Sequence, residues 1–69
     1  MLKLNNIENH NWNLTRGQKV VAKVRRHGEF GIYYSWIATT RFTKRVLTGY
    51  STGLMDSVLD ATKAANSFF

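Results

Sequence analysis

The sequence has no cysteine and no proline, four acidic residues and two histidines, His10 and His27. Without cysteine there can be no disulfide framework and no thiolate zinc site. Two histidines and four scattered carboxylates are too few for most protein-built metal cages, so no cofactor or metal is expected. No apolar run approaches the roughly 18 residues of a membrane span. The N-terminus lacks a basic-then-apolar signal pattern, and together with the missing thiols this points to the cytoplasm. Proline, the strongest breaker, is absent, so Gly17, Gly28, Gly31, Gly49 and Gly53 carry the punctuation.

What remains is 69 residues, 43% hydrophobic and 13% aromatic, a composition of one small globular domain. So short a chain has a small core and commonly needs a staple or a partner. Dimerisation through Phe68-Phe69 or through the N-terminal segment would supply one. Ten basic residues face the four acids, for a formal net charge of +6 and a pI near 10.2. Eight of the ten lie between Arg16 and Arg45, with Glu29 as the one acid among them. A field of that density implies an anionic partner, and nucleic acid is the first candidate.

Residues 1–17 are rich in asparagine (Asn5, Asn6, Asn9, Asn11, Asn13), a residue that favours turns and caps. They read as an arm, with Leu2, Leu4 and Ile7 in a short strand or docking segment and Trp12 as its anchor. Residues 18–69 read as a single β-β-β-α domain. From Lys19 to Arg26 the chain alternates: Val20, Ala22 and Val24 on one face, Lys19, Lys23 and Arg25 on the other, with Val21 an odd apolar member. His27–Gly31 suits a hairpin loop. Ile32–Phe42 is aromatic and β-branched, and its even positions, Ile32, Tyr34, Trp36, Ala38, Thr40 and Phe42, are assigned to the core. Thr43-Lys44 turns into a third strand, Arg45–Tyr50. There Val46, Thr48 and Tyr50 share a face, and Arg45 and Leu47 the other.

A hydroxyl of Ser51 or Thr52 would cap the final helix, and Asp56 would complement its dipole. Leu54, Val58, Ala61, Ala65 and Phe68 form one helical stripe, widened by Met55 and Leu59. Asp56, Ser57, Asp60, Lys63 and Ser67 form the wet face. The expected fold is therefore α+β: a three-stranded antiparallel sheet with one C-terminal helix packed on one face. The other sheet face stays open and should collect Lys19, Lys23, Arg25, Ser35, Thr39, Arg41 and Arg45.

Such a face suits the major groove of B-DNA, about 12 Å wide, where Arg reads guanine and hydroxyls reach phosphates or bases. Val24-Arg25-Arg26-His27-Gly28, Trp36-Ile37-Ala38-Thr39-Thr40-Arg41, Arg45-Val46-Leu47-Thr48-Gly49-Tyr50 and Thr52 followed by Ala61-Thr62-Lys63-Ala64-Ala65 then carry a resemblance. The stretch from Val20 to Ala65 resembles the AP2-type DNA-binding domain and the three-stranded N-terminal domains of phage and transposon integrases. That resemblance implies major-groove contact from Lys23, Arg25, Thr39, Arg41 and Arg45. It departs from the family in a longer His27–Ile32 loop, in Thr39 where the family is acidic, and in Leu47 where it carries tryptophan.

The expectation is a duplex-DNA-binding regulator or recombination accessory of a phage or mobile element. Arg16, Lys19 and Lys44 would hold phosphates, and Arg25, Thr39, Arg41 and Arg45 base edges. A second nucleic-acid reading stacks unpaired bases on Tyr33, Tyr34 and Trp36 near Arg41. Of these Tyr33 is the exposed ring by parity, whereas Tyr34 and Trp36 suit the core. The rival is a small inhibitor docking on a host protein through Val21, Ile37 and Leu47 exposed among arginines. An enzyme is not expected: Asp56 and Asp60 share a solvated helix face, and no nucleophile–base arrangement or phosphate-cradling loop is legible. A membrane-surface role is disfavoured because the helix's wet face is not basic.

Overall fold

The computed structural model describes residues 2–28 and 31–67. Five strands run in chain order: β1 (Lys3–Glu8), β2 (Asn11–Arg16), β3 (Lys19–His27), β4 (Tyr33–Thr39) and β5 (Val46–Ser51). One helix follows, α1 (Leu54–Ala65). All neighbours pair antiparallel in a single meander, β1-β2-β3-β4-β5. The expected three-stranded sheet is thereby corrected to five. The asparagine-rich arm is not a separate segment but a hairpin that adds β1 and β2.

That hairpin forms because β2 alternates cleanly. Trp12 and Leu14 point to the core, while Asn11, Asn13 and Thr15 point away. The asparagines are put to use between strands. Asn5 Nδ2 donates to Thr15 Oγ1 (3.2 Å), and Asn6 Nδ2 donates to the carbonyls of Glu8 (3.0 Å) and Asn11 (3.2 Å). A polar edge strand also resists pairing with other chains. Two-residue turns close both flanks, with His10 (φ 77°) and Gly17 (φ 63°) in the left-handed region. Trp12 does anchor this hairpin: its ring lies 6.1 Å from Tyr34 against the core.

The core is small. Leu14, Val21, Ala22, Val24 and Ala38 from the sheet meet Ala61, Ala64 and Ala65 from α1. Alanines on the helix let it approach β3, β4 and β5 closely. Tyr34, Trp36, Leu47, Leu54 and Val58 pack around this centre. The even-numbered core face of β4 holds from Tyr34 to Thr40, but Ile32 and Phe42 are exposed. The stripe on α1 is rotated from expectation. Ser57, assigned to water, is fully buried and hydrogen-bonds Ser51 Oγ, whereas Met55 and Leu59 are exposed. The N-cap is Gly53 rather than Ser51 or Thr52. Its backbone is extended and no side chain caps the helix; Ser51 Oγ instead donates to the Gly53 carbonyl (3.0 Å). Phe68 and Phe69, and Glu29 and Phe30 of the β3–β4 connection, lie outside the described residues.

One irregularity decides the faces. The register shifts between Leu14 and Thr15, so that Leu14 faces Ala22 but Thr15 faces Val20. Val21 is the extra residue of a β-bulge. Val21 and Ala22 are both buried, Val20 is turned outward, and Lys19 pairs with Arg16 on the side of the helix. The odd apolar residue of the sequence is the bulge itself.

Candidate nucleic-acid interface

The helix covers one side of the sheet, and no described element packs on the other. Cross-strand pairing sets its centre: Asn13, Lys23, Ile37 and Thr48 in one row, Asn11, Arg25, Ser35 and Tyr50 in the next. These side chains, with Ile7 and Glu8 at the β1 margin, line a groove of about 600 Å³. Lys23 and Arg25 stand in the middle and are exposed. Above them runs an aromatic row. His27 stacks on Tyr33 with centroids 4.7 Å apart and planes 13° apart, and Tyr33 meets Tyr50 at 6.0 Å and 56°. A 2.7 Å hydrogen bond between His27 Nε2 and Ser35 Oγ fixes the imidazole. Tyr50 is 74% exposed and Tyr33 43%, so π-faces are open to a ligand. Below the cations the face turns apolar, with Val20, Ile37 and Val46 exposed.

Of the residues expected on this face, Lys23, Arg25, Ser35 and Thr39 are there. Lys19 is not, because the bulge turns it over. Arg41 and Lys44 lie in the β4–β5 connection, and with Arg16 and Lys19 they surround a separate hollow of about 60 Å³ at the end of the sheet. Thr39 reaches the rim of that hollow as well. Arg45 lines neither site; its backbone closes the connection, receiving Thr40 N–H (2.8 Å) and donating to Thr40 Oγ1 (2.9 Å). Arg16 is occupied by the helix, its Nη2 donating to Ala65 O (3.3 Å) and Asn66 Oδ1 (2.6 Å). The cations thus divide into two groups rather than one.

Tyr34 and Trp36 pack on the core, leaving Tyr33 as the exposed ring of that trio. The apolar surface expected from Val21, Ile37 and Leu47 reduces to Ile37, since Val21 is buried and Leu47 faces the helix side. Sequence reasoning missed Tyr50, His27, Asn11 and Asn13 as members of the face. Tyr50 is recoverable by pairing, since it lies opposite Ser35, which the alternation of β4 puts on this face. The asparagines are not, because the composition of their segment favours turns over strand interiors. No ligating group of three or more His, Asp or Glu occurs among the described residues, and none of their helices is long and apolar enough to cross a membrane. The chain matches no family model, no characterised protein and no solved structure.

Proposed function

We propose that this protein binds nucleic acid across the open face of its sheet, with unpaired bases stacking on Tyr33 and Tyr50 and the backbone passing Arg25 and Lys23. The observation that carries this reading is the aromatic row set directly beside two exposed cations on one uncovered face. Base–aromatic stacking and phosphate neutralisation together are the standard means of holding a single strand. Asn11, Asn13, Ser35 and Thr48 add donors and acceptors for base edges.

A single strand suits the face better than a duplex. Five strands spaced about 4.8 Å apart place the outer two roughly 19 Å from each other, wider than the roughly 12 Å major groove that a three-stranded ribbon would enter. The net charge of +6 supplies the long-range attraction.

Fluorescence anisotropy with labelled single-stranded and duplex oligonucleotides, at 50 and 200 mM salt, tests the proposal. Single-strand binding should be tighter and should weaken steeply with salt. Tyr50→Ala should cost about 1–3 kcal/mol, the value of one stacked base. Tighter duplex binding indifferent to Tyr50→Ala would restore the groove-reading alternative. No binding to either form at 50 mM salt would remove nucleic acid altogether. In that event the exposed Val20, Ile37 and Val46 favour a protein partner, as for a small inhibitor of a host protein.

A further inference from the structure

We propose that the end of the sheet carries a phosphate site, in which Lys19, Arg41 and Lys44 receive one phosphoryl oxyanion. The site uses different residues from the groove, so it stands or falls independently of the single-strand reading.

The start of β3 contributes Lys19 and the β4–β5 connection contributes Arg41 and Lys44; they converge on the 60 Å³ hollow, which no residue of α1 lines. Among the described residues no acid lines it. Arg16 meets the negative end of the helix through Ala65 O and Asn66 Oδ1, which leaves the other three cations without that compensation. Lys44 Nζ donates one hydrogen bond, to Arg41 O (3.1 Å), and keeps two donors. Its neighbour is another ammonium, that of Lys19, whose contact and charge hold the Lys44 pKa below the ordinary lysine value. Two adjacent ammoniums repel, and a shared oxyanion converts that repulsion into two attractions.

The backbone adds a separate indication. Lys44 has φ 58°, a left-handed conformation that glycine or asparagine adopts readily and lysine does not. A strained backbone that presents a charged side chain toward a cluster of its own sign is a reason to look for a ligand. The neighbouring hydroxyls hold this geometry: buried Thr40 bonds Thr43 Oγ1 (2.9 Å) and accepts from Arg45 N–H (2.9 Å).

The oxyanion could be free phosphate or a phosphate of a nucleic-acid strand, and the test separates them. The full chain, isotopically labelled, is titrated in low-salt buffer with inorganic phosphate, with chloride at matched ionic strength, and with a short oligonucleotide with and without a 5′-phosphate. Saturable amide shifts confined to residues 16–21 and 40–46 are expected with phosphate and not with chloride. Lys19→Gln and Lys44→Gly should each weaken that binding about tenfold, the scale of one charge-assisted hydrogen bond. Lys44→Gly suits the left-handed turn, so its loss of binding would not reflect misfolding. Tyr50→Ala should leave the phosphate titration unchanged while impairing the groove. Saturation by inorganic phosphate identifies free phosphate as sufficient; saturation only by an oligonucleotide identifies the strand. Equal shifts with chloride, or full retention in both lysine variants, would overturn the site.

Discussion

Gly49 offers the sharpest test of how the sheet is packed, because the sign of the effect is decided by one ring. Gly49 pairs with Trp36 across β4 and β5. A Cβ built on Gly49 would lie 2.6 Å from Cε2, Cζ2 and Nε1 of that indole. Carbon atoms pack favourably at about 3.5–4.0 Å, so roughly 1 Å of overlap must be relieved. The ring has little room to retreat, since its other side packs against the core. Overpacking of this kind costs about 1–3 kcal/mol. A domain of this size has a total stability of only about 3–10 kcal/mol. Without the ring, Gly49→Ala in a strand would instead gain roughly 0.5–1 kcal/mol. Urea unfolding followed by far-ultraviolet circular dichroism should show the Gly49→Ala midpoint lowered by about 1–3 M, taking a slope near 1 kcal/mol/M. In a Trp36→Leu background the same substitution should become neutral or stabilising, a coupling of the kind that a double-mutant cycle isolates. A raised midpoint for Gly49→Ala in the otherwise unchanged protein would refute the placement of Trp36. The result bears on function too, because Gly49 forms part of the groove floor and precedes Tyr50.

The helix N-terminus and the basic end of the sheet give further outcomes. Gly53 caps α1 with φ −128° and ψ 148°, a conformation open to any residue, and a Cβ there meets only Asp56 at ordinary contact distance. Gly53→Ser should therefore stabilise by about 0.5–1 kcal/mol, from a side-chain cap and a less flexible unfolded chain; an unchanged or lower urea midpoint would contradict this. Lys44 should make stability pH-dependent. Contact with the Lys19 side chain, then its charge, then desolvation and the Arg16 charge, lower its folded pKa from 10.5. Between the lowered value and 10.5 the unfolded chain binds more protons, so stability rises with pH across that window. Compared with Lys44→Met, the unaltered protein should gain in urea midpoint as the pH rises toward 10.5; parallel curves would show that the cations do not interact. In the groove, Arg25→Ala should flatten the salt dependence of oligonucleotide binding by about one counterion, and an unchanged slope would move the backbone path away from Arg25.

The middle of the open face was legible because β4 alternates without interruption from Tyr33 to Thr39, which fixes Ser35, Ile37 and Thr39 on one side. Lys23 and Arg25 follow through their pairing with Ile37 and Ser35. Period-two reasoning fails where the backbone departs from period two, and it does so at Val21. A Val-Val-Ala run gives no local sign of which valine is the inserted one, since either choice buries apolar atoms. The partner that settles it is β2, through Leu14, and β2 lay in the segment set aside for its asparagines. Composition outweighed alternation there, although Asn11-Trp12-Asn13-Leu14-Thr15 alternates as well as any strand in the chain. One misread hairpin therefore cost both the strand count and the side on which Lys19 stands. A one-residue slip moves every side chain beyond it to the opposite face, and in this chain it separates Lys19 from Lys23. The division of the cations into a groove pair and an end cluster thus follows from a single bulge. Deleting Val21 removes the inserted residue and leaves Ala22, Val20 and Lys19 alternating against Leu14, Thr15 and Arg16, so Lys19 should stay opposite Arg16 on the helix side and the phosphate titration of the end cluster should persist; a Lys19 amide that instead responds to oligonucleotide in the groove would show that Val21 is not the inserted residue.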